Sequence, residues 1–105
     1  MVKELTNGEF EEFIKSGTAV IDFFAEWCMP CLMMAPVFDE MAEKFSEINF
    51  GKINIDDDPE LAEKYSIMSI PCIVIFKDGK EAQRFIGVQS ENILVEKLNT
   101  ALNES

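Results

Sequence analysis

Two cysteines three residues apart, Cys28 and Cys31, stand in the run Trp27-Cys28-Met29-Pro30-Cys31. Thiols at this spacing can form a structural disulfide, bind a metal, or cycle between dithiol and disulfide. An apolar run, Ala19 to Ala25, leads into the pair, and a helical pattern, Leu32 to Phe45, leads out of it. The dithiol therefore marks a junction where a strand turns into a helix. A helix start carries unpaired backbone N–H groups and the positive end of the dipole, which bias a thiol there towards thiolate. That context favours redox exchange. A zinc site commonly takes four sulfur or nitrogen ligands. Three cysteines (Cys28, Cys31 and Cys72) and no histidine supply them only with help from carboxylates or a second chain. The absence of histidine also excludes Cys-His and Ser-His nucleophile pairs.

Geometry assigns an order of events. Cys28, at the turn, is expected to be the more exposed thiol and the nucleophile that forms a mixed disulfide with substrate. Cys31, one helical turn later, is expected inside and within bridging range. It attacks Cys28 and releases the reduced substrate, so it must first lose its proton. Asp22, six residues before Cys28, interrupts the apolar strand and is the candidate base. Desolvation there is expected to raise its pKa. The alternative is an Asp on an exposed edge, or one paired structurally with Lys52. Lys52 is either that carboxylate's partner or a solvated lysine.

The elements that must position these groups follow from periodicity. Val2 to Leu5 reads as a short first strand. Thr6 and Glu9 have capping-box spacing, Phe10, Phe13 and Ile14 make one helical face, and Gly17 can stop that helix. Ala19 to Ala25 has the near-continuous apolar character of a central strand. In the following helix Met34, Val37, Phe38, Met41 and Phe45 form the apolar stripe. Asp39, Glu40, Glu43 and Lys44 form its wet face, and Pro36 predicts a kink. Ile48 to Ile55 reads as a third strand. Asp58-Pro59 reads as N-cap and first helical residue of a short helix through Tyr65. Cys72 to Phe76 is a buried-type strand, and the Asp78-Gly79 turn folds it back on Glu81 to Ile86. Ser90 can cap a last helix with Leu94, Leu98 and Leu102 inward. The order β-α-β-α-β-α-β-β-α predicts an α/β fold with parallel strands early and antiparallel strands late.

The bulk numbers bound the function. The chain has 105 residues and reads as one domain, 1–105, large enough for a core without staples. Hydrophobic residues make up 48% and charged ones 28%, which excludes a disordered composition. Twenty acidic against nine basic side chains give a net charge of −11, which opposes nucleic-acid and anionic-membrane partners. No apolar stretch approaches the ~18 residues of a spanning helix, and the first residues lack a signal-peptide core. Three cysteines do not make a secreted disulfide framework, so a reducing cytoplasm is the expected compartment.

The run Phe23-Phe24-Ala25-Glu26-Trp27-Cys28-Met29-Pro30-Cys31, then Ala35-Pro36, Lys52-Ile-Asn-Ile-Asp56, Ile70-Pro71 and Phe76-Lys-Asp-Gly79, resembles the thioredoxin family. The similarity runs from about the first helix to the last. It implies a thioredoxin fold with a central mixed five-stranded sheet flanked by four helices. It implies Cys28 as nucleophile, Cys31 as resolving thiol and Asp22 as buried proton acceptor with Lys52 nearby. It further implies a cis Ile70-Pro71 bond whose preceding backbone pairs with substrate. Trp27, Met29, Pro30, Ile70, Pro71, Gly87 and Val88 are the substrate-binding candidates. The implied activity is general protein-disulfide reduction with no bound cofactor beyond the redox-active Cys28–Cys31 disulfide, recharged by a thioredoxin reductase. A glutaredoxin-like protein recharged by glutathione and a thioredoxin-fold interaction module are the alternatives.

Two positions depart from the family pattern. Met29-Pro30 replaces the common Gly-Pro; Met29 adds neither charge nor hydrogen bond, so a reductant is expected. It either widens the apolar contact for protein substrates or is a tolerated surface residue. Cys72 stands where threonine is frequent, either as a small core residue or as a third thiol able to exchange. Met34 and Met41 read as core, Met68 as a possible groove residue, and Met33 falls in no close thioether cluster.

Overall fold

The strand that feeds the dithiol is the middle of the sheet. The computed structural model describes residues 2–103. Their elements are β1 (Val2–Glu4), α1 (Asn7–Ile14), β2 (Thr18–Phe24), α2 (Met29–Lys44), β3 (Asn49–Asn54), α3 (Pro59–Lys64), β4 (Cys72–Lys77), β5 (Lys80–Ile86) and α4 (Glu91–Asn103). The strands form one sheet in the order β1-β3-β2-β4-β5. β3 runs parallel to both β1 and β2, β4 lies antiparallel to β2, and β5 antiparallel to β4. The helical crossovers account for the parallel half. The hairpin turn accounts for the β4–β5 pair: Asp78 and Gly79 both take positive φ (51° and 85°), as the tight two-residue turn requires.

Alternation along β2 divides the core. Val20 faces one layer with Phe38, Phe50, Ile73, Leu94 and Leu98. Ile21 and Phe23 face the opposite layer with Phe10, Leu61, Cys72 and Phe76. Both faces are covered, which is why β2 reads as nearly continuous apolar sequence. Each large side chain fully buried here contributes about 1.5–3 kcal/mol. Asp22 shares its parity with Val20, so it belongs to the α2 side of the sheet.

Local chemistry bears out most boundaries. The Thr6 N–H donates to Glu9 Oε1 (3.0 Å), closing the start of α1. The Ile93 N–H donates to Ser90 Oγ (3.3 Å) at the start of α4. Helix α2 runs on past Pro36 to Lys44. Asp58 is the N-cap of α3 and Pro59 its first residue, as expected; the Asp58 side chain makes no cap hydrogen bond, and its Oδ1 accepts the Asn7 N–H (3.1 Å), tying α1 to α3. One expectation is corrected: Leu102 is 37% exposed, and Ala101 takes the inward place beside Leu94 and Leu98. The i, i+4, i+7 phase of α4 points position 101 at the sheet, and the bulk of Leu102 does not override it.

Candidate active site

Cys28 is the N-cap of α2, with extended backbone (φ −89°, ψ 107°). Pro30 in the first turn suits a helix start, where its missing N–H has no partner to lose. The Cys31 N–H donates to Cys28 Sγ across 3.2 Å. Cys28 and Cys31 are disulfide-bonded, with Cα atoms 5.2 Å apart. In the reduced dithiol the same N–H and the helix dipole favour negative charge on Cys28.

The two cysteines do not differ in exposure, contrary to expectation: each residue is 4% exposed. What separates them is their surroundings. Cys28 Sγ lies 3.9 Å from the Ile70 carbonyl oxygen, beside the cis Ile70-Pro71 bond. Cys31 lines a cavity of about 320 Å³ together with Asp22, Lys52, Ala35 and Phe24. Position in the helix N-terminal turn therefore decides which thiol meets the outer face and which meets the carboxylate.

Asp22 is buried, and its Oδ1 has no protein hydrogen-bond partner. Desolvation pushes its pKa up to about 7; Asp39 adds to the rise and Lys52 opposes it. Lys52 stands opposite Asp22 in the β2–β3 register, and its Nζ lies 5.3 Å from the centroid of the Phe24 ring. The structure thus brings Asp22, Lys52 and Cys31 to one cavity. Asp39 was read as part of the wet face of α2; its influence on Asp22 comes from the way α2 packs over β2, which no local pattern records.

The remaining candidates surround the outer face. Trp27 is 68% exposed, and its indole N–H donates to Asp56 Oδ2 (2.8 Å). Asp56 was missed as a site residue. Its one signal is its place just past the end of β3, at the same end of the sheet as Trp27. Met29 and Pro30 are exposed on the first turn of α2, and Ile70 is half-buried. Pro71 is buried, and its carbonyl accepts the Gly87 N–H (2.8 Å), so the loop carrying Gly87 and Val88 is bonded to the cis-proline segment. Gly87 takes φ +87°, a conformation suited to glycine. Met33 and Met68 are exposed, while Met34 and Met41 are core. Cys72 is a buried free thiol in the α1/α3 layer, across the sheet from Asp22, and burial pushes its pKa up. Among the described residues, no group of three His, Cys, Asp or Glu side chains could hold a metal ion.

A family model described as Thioredoxin matches residues 1–100. The chain belongs to the thioredoxin family. It is 44% identical over 99 residues to the thioredoxin of Chlamydia caviae, covering 94% of this chain and 97% of that one. It is 36% identical over 102 residues to the thioredoxin of Staphylococcus aureus, covering 96% and 98%. A chain from a structure solved for the thiol resolving mechanism of yeast mitochondrial 1-Cys peroxiredoxin via glutathione/thioredoxin systems superposes with a TM-score of 0.86. That chain is 31% identical, with 94% of each chain covered. The fold is the thioredoxin fold, and the activity is thiol–disulfide exchange of the thioredoxin type, a disulfide reductase working through Cys28 and Cys31.

Proposed function

We propose that this protein is a general reductant of protein disulfides, acting as one domain over residues 1–105 in the cytoplasm. The observation that carries the reading is the Cys31 N–H donated to Cys28 Sγ at the N-cap of α2. It supports Cys28 as the sulfur able to hold charge and hence as the nucleophile.

The cycle balances as follows. The Cys28 thiolate attacks one sulfur of a substrate disulfide; that S–S bond breaks and the other sulfur leaves as a thiolate, which takes up a proton. Cys31 gives its proton to the Asp22 carboxylate within the shared cavity, and Lys52 tempers the charge there. The Cys31 thiolate then attacks Cys28 Sγ, the second substrate sulfur leaves as a thiolate that takes a proton from water, as the first did, and Asp22 returns its proton to solvent. The substrate gains two electrons and two protons, and the protein is left with the Cys28–Cys31 disulfide. Trp27, Met29, Pro30, Ile70, Pro71, Gly87 and Val88 form the surface that receives the substrate chain, with the Ile70 carbonyl beside Cys28 as the edge it pairs with. No metal or bound organic cofactor takes part. Electrons return from an external donor of the thioredoxin reductase kind. Among the described residues no helix is long and apolar enough to cross a membrane. The net charge of −11 supports protein substrates over nucleic acid or anionic lipid.

Insulin-disulfide reduction tests the reading. A purified thioredoxin reductase with NADPH is expected to drive turnover, glutathione alone is not, and Cys28→Ser is expected to abolish it. Turnover with glutathione alone would assign a glutaredoxin-like protein instead. A biological function retained by Cys28→Ser would assign an interaction module.

A further inference from the structure

The segment that leads into Pro71 is held in place by one side chain of β5. Helix α3 ends with the Ser66 N–H on the Glu63 carbonyl (3.1 Å) and the Ile67 N–H on the Ala62 carbonyl (2.8 Å). Ser66 has φ +54°. This is the double-bonded helix end that glycine normally makes, built here on a serine. The Tyr65 and Ser66 carbonyls stand outside those two bonds. Arg84, the chain's single arginine, takes both: Nη2 donates to Tyr65 O (2.7 Å) and Nη1 to Ser66 O (3.2 Å). The Glu81 carboxylate holds the guanidinium from the other side, accepting from Nε and Nη2 at 2.8 Å each.

Arg84 lies opposite Val74 in the β4–β5 register, two residues from the Cys72–Ile86 pair. Just beyond β5, the Gly87 N–H secures the Pro71 carbonyl. Met68, Ser69 and Ile70 therefore hang between two anchors, Arg84 at one end and Gly87 at the other. Met68 is 90% exposed and Ser69 is exposed, so before Ile70, which packs against the core, the stretch has little packing of its own to define its shape.

We propose that Arg84 is a positioning residue for protein-disulfide substrates: its fork fixes the Tyr65 and Ser66 carbonyls and so presets the Met68–Ile70 edge. This rests on the reading above that the edge at Ile70 receives the substrate chain. Arg84 touches neither the reacting sulfurs nor the substrate. A preset edge spares a bound chain the entropy of ordering the loop. A small disulfide, which needs only Cys28, gains nothing from it. Lysine does not substitute, because a point ammonium cannot span two carbonyls and a carboxylate as a planar fork does.

The test is single-turnover reduction of insulin by the prereduced full chain, followed through the tryptophan beside Cys28 and titrated to saturation. 2-Hydroxyethyl disulfide serves as the small substrate. R84A and R84K are expected to raise the half-saturating insulin concentration about fivefold. The limiting rate, the 2-hydroxyethyl disulfide rate and the Cys28–Cys31 potential stay at wild-type values. E81Q keeps Arg84 but loosens its anchor; it covers the case in which the arginine variants do not fold and is expected to move the same quantity in the same direction. I70A reports on the edge itself. If I70A raises half-saturation and the arginine and E81Q variants do not, the Arg84 proposal falls and the edge stands. If none of them does, both fall. Equal losses on insulin and the small disulfide would also overturn the proposal, since they would mark Arg84 as a general structural support.

Discussion

Burying Asp22 burdens the folded state with a proton it would rather keep. Its pKa moves from 3.8 to about 7, with desolvation as the leading cause. Between about pH 4 and pH 7 the folded chain holds this proton while the unfolded chain has lost it, so this group makes stability fall as pH rises through that window. Above pH 7 the whole penalty is present, on the order of 4 kcal/mol. Asp22→Asn removes it. The oxidised variant is expected to be more stable than wild type by that order at pH 8, with the difference closing towards pH 4, as read by denaturant unfolding across the range. The same variant lacks the proposed proton acceptor, so its mixed disulfide with substrate is expected to resolve more slowly near neutrality, by about 100-fold or more, as seen by acid-quench trapping. A carboxylate that merely paired with Lys52 for structure would instead lose stability on becoming Asn. Asp22 was legible as a residue out of place in an apolar strand. The cavity it shares with Cys31 was not, because that depends on how α2 lies across β2.

Elements announce themselves more clearly than their contacts do. Strand β2, the N-terminal turn of α2 and the Asp78-Gly79 hairpin were all readable, since each is set by residues adjacent in the chain. Asp58 was legible as the N-cap of α3, but the partner of its side chain, the Asn7 N–H, was not, because it comes from a distant helix. Leu102 was misread as core because the phase of a short helix shifts with one residue. Gly51 gave no signal at all. It lies in β3, and a Cβ there would stand 2.7 Å from Leu5 Cδ1 and 2.9 Å from Phe13 Cε2. Leu5 is buried and has little room to withdraw. Gly51→Ala is therefore expected to destabilise by about 1–3 kcal/mol through overpacking. The urea midpoint would report the loss.

At the scale of the whole molecule, acidic side chains outnumber basic ones twenty to nine, and an apolar face lies around the dithiol. Trp27, Met29, Met68 and Val88 are exposed there, on a chain of net charge −11. The field of such a chain draws in basic partners and is screened over about 10 Å at 0.1 M salt. The second-order rate of reduction of a basic disulfide protein is therefore expected to fall roughly tenfold between about 10 mM and 300 mM salt. Reduction of uncharged 2-hydroxyethyl disulfide should not change. A flat salt profile for the basic protein would mean that the charge serves solubility alone. The sequence by itself determined the element order, the redox character of Cys28 and Cys31 and the exclusion of histidine chemistry, because periodicity, turn residues and residue type act locally. The tertiary structure alone decided that Asp22 and Cys31 share a cavity, that Asp56 holds Trp27, that Arg84 anchors the Tyr65–Ser66 turn and that Cys72 lies across the sheet. Those outcomes depend on register and on the packing of elements far apart in the chain, for which adjacent residues leave no mark.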